Sequence, residues 1–149
     1  MKETDDPFDL SRFVEAQQGP SGGYESAHRE LAAGRKVTHW MWYIFPQLRG
    51  LGTSSYSDRF GISGLAEARA YARHALLGER LRECIRLVVG LSGDATVQTI
   101  FGSTDSMKLR SCMTLFELAD PAEASYVRVL DRYFAGVRDA RTLKLLELG

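Results

Sequence analysis

Apolar residues recur at intervals of three and four along most of this chain, the spacing of amphipathic helices rather than strands. Leu10, Phe13, Val14 and Gln17 share one face of a first helix, with Asp9 or Ser11 placed to cap it. The run Gly19-Pro20-Ser21-Gly22-Gly23 stops that helix. Tyr24, Ala27 and Leu31 repeat the pattern over 24–33, and Gly34 follows as the residue just past the helix end. Residues 38–45 are apolar nearly all round, so periodicity does not separate a buried helix from a buried strand. Pro46 requires any helix there to end near Phe45, because the residue before a proline avoids the α region. Residues 46–56, with Gly50, Gly52 and several hydroxyls, read as a loop.

The second half is more regular. Leu65, Ala68 and Ala72 lie opposite Arg69 and Arg73 on a short helix with Ser63 as its expected cap. Leu77, Leu81, Cys84, Ile85 and Val88 stripe a helix over 76–91. Residues 96–101 form a short helix or turn closed by Gly102, and 106–118 place Leu109, Met113 and Phe116 on one stripe. Asp120 and Pro121 read as N-cap and first residue of a helix whose face is Val127, Leu130 and Phe134. A last helix over 138–148 carries Leu143, Leu145 and Leu146. The pattern predicts an all-α, compact single-domain bundle of seven to nine helices over residues 1–149, with no significant sheet and with 1–7 as a flexible tail. Leu31, Ile44, Leu81, Ile85, Met113, Phe116 and Leu130 are its expected shared core.

Composition agrees. Leu and Ala number 33 against 12 for Val and Ile, and β-branched side chains lose rotamer freedom in helices. The 19 basic residues equal the 19 acidic ones, which argues against a protein that wraps duplex nucleic acid. Arg outnumbers Lys 15 to 4 and Asn is absent, a coding bias rather than a binding surface. The polar N-terminal residues lack a signal peptide's apolar stretch, and the longest apolar run, 40–46, is far short of a bilayer span. The expectation is a soluble, cytoplasmic protein with no membrane contact.

One segment carries more chemistry than a core requires. Residues 34–52 hold both tryptophans, Trp40 and Trp42, together with Lys36, His39, Gln47 and Arg49. An aromatic wall rimmed by a few placed polar groups is the usual composition of a small-molecule pocket. The alternative for Trp40, Met41, Ile44 and Phe45 is that they are the centre of the core.

The chain resembles the bacterial family catalogued as domain of unknown function 1810. The resemblance rests above all on His39-Trp40-Met41-Trp42 followed by Phe45-Pro46-Gln47 and Leu51-Gly52. It extends from Phe13, Ala16, Gln17, Glu30 and Lys36 through Tyr71, His74 and Arg80 to Gly102, Asp105, Lys108, Ser111 and Phe116. It implies an all-α single domain and no established activity. Two positions depart from the family pattern: Ala75 follows His74 in place of proline, and Cys112 follows Ser111 in place of a second serine. The name calpastatin attached to some members does not fit, since calpastatin is largely disordered and repetitive and this chain is neither.

Two glycine-containing segments are candidates for anion binding. The loop over 49–55, which includes Ser54, offers backbone N–H groups or is a turn that needs positive φ. Residues 102–108 open a helix, whose free N–H groups favour a phosphate or carboxylate, unless Asp105 caps the helix and fills that place. His28 and His74 read as surface residues. Cys84 faces the core, and Cys112 is expected to be partly accessible near Lys108. No metal-ligand or redox spacing is present, so no cofactor is expected.

Two functions fit these residues. The first is binding of an anionic small molecule, such as a nucleotide or ADP-ribose-like compound. Trp40 or Trp42 would stack on it, Lys36, Arg49 and Lys108 would hold its charge, and His39 with Gln47 would orient it. Ser54 and Ser111 complete the candidate cleft, and His39 or Glu30 is the candidate base if a reaction occurs. The second is a non-enzymatic module whose Trp, Tyr and Arg side chains form a protein-binding hot spot for an unspecified partner.

Overall fold

Nine α-helices order the residues that the computed structural model describes, 6–19 and 22–148. They are α1 (Ser11–Gln17), α2 (Tyr24–Ala32), α3 (Met41–Ile44), α4 (Ser55–Phe60), α5 (Leu65–Arg73), α6 (Ala75–Val89), α7 (Val97–Ala119), α8 (Ser125–Phe134) and α9 (Ala140–Leu148). Among the described residues no sheet forms. A single parallel bridge joins Leu48 to Ile62, where Arg49 N–H donates to the Ile62 carbonyl and Ile62 N–H to the Gln47 carbonyl. That bridge holds the backbone on both sides of Leu48, directly after the Gln47 side chain.

The apolar stripes meet in one core. All seven expected core residues are buried in it, and Phe13, Tyr71, Phe116 and Tyr126 link its layers through tilted and edge-on ring contacts. α7 is the central element, packed against α5, α8 and α9, while α6 packs against α2, α5 and α8. Gly102 divides α7: its φ of 78° and ψ of 169° end one helical stretch and start the next at Ser103. The second stretch therefore sets off at a new angle and carries Thr104, Lys108 and Ser111 on one face, the first exposed and the last buried.

Helix ends account for most departures from the sequence reading. Asp6, not Asp9 or Ser11, caps α1, accepting from Leu10 N–H at 2.7 Å and Ser11 N–H at 3.0 Å. Residues 1–5, and Pro20 and Ser21 of the first glycine turn, lie outside the described residues. α4 lies at the end of the expected loop and beyond it, and α8 starts at Ser125, four residues beyond Pro121. Asp120 instead closes α7 and accepts from the Tyr126 hydroxyl. Val127 is half-buried, and the buried face of α8 is Tyr126, Val129 and Leu130. Ser63 is not a cap; Glu67 reaches back to accept its N–H at 2.8 Å. His74 caps α6, its ring nitrogen accepting from Leu76 and Leu77 N–H at 3.1 Å. Ala75 is then the first helical residue, where a proline would lose no helical donor. The departure from the family pattern leaves that turn intact.

Candidate functional site

The two tryptophans part company because side chains two residues apart leave a helix end in different directions. Trp40 is fully buried beside Phe45 and Phe101, with ring centroids 6.2 and 6.4 Å away. A buried indole N–H needs an acceptor, and Glu30 supplies it. Glu30 Oε1 accepts from Trp40 Nε1 at 2.8 Å, Val37 N–H at 2.7 Å and Thr38 N–H at 3.0 Å, while Oε2 accepts from the Thr38 hydroxyl at 2.6 Å. Burial on its own would raise the pKa of this carboxyl. The hydrogen bonds from Thr38, Val37 and Trp40 outweigh it and bring the pKa down to about 2. Glu30 is thus a fixed acceptor that organises residues 37–40, and it is not available as the base considered from sequence.

Trp42 is half-buried and faces a cleft of about 200 Å³. The cleft lies between the segment after α3 and the second stretch of α7, with the start of α9 at its edge. Gln47, Lys108 and Ser111 line it with Trp42, so two segments about sixty residues apart do converge. Lys108 Nζ stands 4.7 Å from the centroid of the Trp42 ring. Gln47 is only 9% exposed, and among the described residues its side-chain amide makes no hydrogen bond. Ser111 donates to the Met107 carbonyl and keeps its oxygen lone pairs free to accept. Thr104 and Arg141 complete the polar wall. Asp139 also borders the cleft, but its carboxylate caps α9 by accepting from Thr142 N–H and hydroxyl.

Behind Lys108 sits a charge cluster that is not balanced. Asp105 takes Lys36 Nζ at 2.9 Å and Lys108 Nζ at 3.3 Å, so one carboxylate faces two ammonium groups. Lys36 is mostly buried, and its Nζ lies 5.2 Å from the centroid of the Trp40 ring. Asp105 thus occupies an anion's place at this helix start by pairing with lysines, and it leaves one positive charge over.

The other residues expected at the cleft stand elsewhere, each for a local reason. Trp40 is core. His39 is exposed, and its carbonyl accepts from the Tyr43 hydroxyl. Arg49 is exposed, and its backbone is tied into the bridge to Ile62. Ser54 caps α4, its hydroxyl accepting from Ser57 N–H. The loop over 49–55 is the positive-φ turn, with Gly50 at φ 101°. Cys112 is fully buried, contrary to expectation, so its missing hydroxyl removes nothing from the cleft. Burial raises both thiols, Cys84 to about 12, which disfavours the reactive thiolate form. Sequence reasoning missed Arg141 and Thr104; Thr104 carries a legible signal, four residues before Lys108 and on its face.

Among the described residues no group of His, Cys, Asp and Glu is placed to hold a metal ion, and no helix is long and apolar enough to cross a membrane.

Fold and site together define a small all-helical domain with a basic, tryptophan-walled cleft at its surface. The chain belongs to the family described as protein of unknown function DUF1810, which matches residues 7–146. It is similar to the conserved hypothetical protein Rv1873 from Mycobacterium tuberculosis, whose crystal structure is at 1.38 Å. The two share 51% identity over 97% of this chain and 100% of that one, with a TM-score of 0.91. No curated protein matches the chain.

Proposed function

We propose that the cleft between Trp42 and the second stretch of α7 binds the anionic end of a small molecule. A nucleotide or ADP-ribose-like compound is the class that suits it. The observation that carries this reading is Gln47: its side-chain amide lines the cleft and makes no hydrogen bond to the described residues, so its donors and acceptor are open to a ligand. Around that amide stand two hydroxyls, Lys108 and Arg141, and the surplus positive charge of Lys36 and Lys108 over Asp105 favours an anion. A volume of about 200 Å³ is below the roughly 300–1,000 Å³ of sites that enclose a whole ligand. The cleft therefore takes one phosphate-bearing end, with the remainder lying outside along Trp42. No free base or nucleophile stands in it, so the reading is recognition and not catalysis.

The interaction-module alternative has less to stand on. Trp40 has no exposed surface, and Tyr56, at 56% exposure, is the one aromatic of the cluster that projects.

The test is isothermal titration with inorganic phosphate, AMP and ADP-ribose, using the parent chain and Lys108→Met. Binding of at least one probe by the parent, weakened about tenfold or more in Lys108→Met, supports the reading. A one-site ligand at 100 times its Kd also raises stability by about 2.7 kcal/mol, which a thermal shift detects. No heat and no shift with any of the three at millimolar concentration would refute it.

A further inference from the structure

α6 borders a second concavity, a shallow groove of about 710 Å³ flanked by Tyr24 of α2 and Arg128 of α8 and remote in sequence from the cleft. Its centre is the outward face of α6, made by Leu76, Glu79, Arg82, Glu83, Arg86 and Val89. At 3.6 residues per turn these six fall on one side of the helix, with Glu79 and Arg86 on its outermost line. Both are exposed, and the Arg86 side chain is 72% accessible.

The order of these residues has a hidden symmetry. Counting outward from the midpoint between Arg82 and Glu83, each position answers its opposite number with complementary chemistry. Arg82 answers Glu83, Glu79 answers Arg86, and Leu76 answers Val89. Exposed Ala75 and Gly90 follow at the ends, so no bulky group closes the face. A two-fold axis through that midpoint lays a second copy antiparallel on the first. It sets Glu79 against the second copy's Arg86 and Arg82 against the second copy's Glu83, each pair formed twice. An interface of this kind must match itself, which is what the sequence does here. A parallel arrangement would put like charges together.

We infer that the outward face of α6 is the contact surface of a two-fold symmetric dimer of this chain. The charge pattern selects this occupant over a simple anion. The groove is lined by four arginines and three glutamates, so no ligand of single sign gains from the whole of it. Within one chain Arg86 already pairs with Glu83, and His28 takes that carboxylate's other oxygen. On dimerisation Arg86 turns to the opposing Glu79, and half-buried Arg82, whose Nη1 donates to the Ala72 carbonyl of its own chain, offers its remaining N–H groups to the opposing Glu83. The α6 face is about 22 Å long at 1.5 Å per residue, modest beside the roughly 800 Å² per partner of a standard interface. The dimer is accordingly concentration-dependent and weakened by salt.

Sedimentation velocity from about 10 μM to about 1 mM, in low salt and in 0.5 M NaCl, tests this directly. The parent shifts from monomer to dimer with concentration, and salt reverses the shift. Glu79→Arg, which opposes Arg86 with a like charge, weakens association about tenfold or more. The double variant Glu79→Arg with Arg86→Glu restores it, because the swapped charges again face their opposites. All the altered side chains are exposed, and melting temperatures within a few degrees of the parent show that the fold is kept. A mass of one chain at every concentration would overturn the proposal. So would association untouched by Glu79→Arg, or a double variant no better than the single one.

Discussion

Trp40 Nε1 donates to Glu30 Oε1 at 2.8 Å, joining α2 to the turn before α3 across the middle of the core. This contact fixes where the chain re-enters the core, and hence the directions in which Trp42 and Gln47 leave it. It rests on a carboxylate that accepts four hydrogen bonds, so its loss is felt as a network and not as one pair.

Glu30→Gln therefore destabilises the protein by about 1–3 kcal/mol, since an amide nitrogen replaces one of the accepting oxygens. The pH dependence has a definite sign. The folded-state pKa of about 2 lies below the ordinary value of 4.5, so the stabilisation is complete above pH 4.5. It is lost as pH falls through 2. Urea melts of the parent between pH 6 and pH 2.5 should show this decline, and the Gln variant should lack Glu30's part of it.

The tryptophans should respond unequally to truncation. Trp40→Ala costs about 3–5 kcal/mol, the large-to-small penalty for a ring with no exposed surface. Trp42→Ala costs about 1 kcal/mol, because its ring is half-buried and borders the cleft. Equal losses in a denaturant melt would contradict the placement of one ring in the core and the other at the edge of the cleft.

Gly102 should resist substitution for conformational reasons alone. Its φ of 78° with ψ of 169° is a region that only glycine occupies readily, while an added Cβ would meet nothing within 4 Å. Gly102→Ala should lower stability by about 1–3 kcal/mol without any clash, measured by thermal or urea melts. It should also disturb the cleft, because this residue aims the stretch that carries Thr104, Lys108 and Ser111.

Much of the fold was legible because long helices repeat their apolar stripe several times: Leu77, Leu81, Ile85 and Val88 on α6 are enough to define it. Short elements escaped. α4 has only six residues and is rich in hydroxyls, so Ser54 read as loop when it is a cap. Asp120 and Pro121 carry a strong local signal for a helix start, yet tertiary packing begins α8 at Ser125. At the cleft, Gln47, Lys108 and Ser111 stood out as polar residues that their apolar neighbours did not require. His39 and Arg49 met the same criterion and face away, because composition reports what a segment contains and not which way each side chain turns. Glu30 was legible only in part: a carboxylate between Ala27 and Leu31 on the buried face of α2 signals a buried acceptor, but its four donors come from residues 37–40 across a turn.

The most direct test of the proposed site uses the two indole N–H signals of the ¹⁵N-labelled protein during titration with phosphate, AMP and ADP-ribose. Trp42 lines the cleft, whereas Trp40 is locked to Glu30 in the core. A bound anion should shift the Trp42 signal with a saturating dependence, leave the Trp40 signal nearly in place, and do neither in Lys108→Met. Movement of neither indole up to millimolar concentration, or a Trp42 shift that survives Lys108→Met unchanged, would contradict the account.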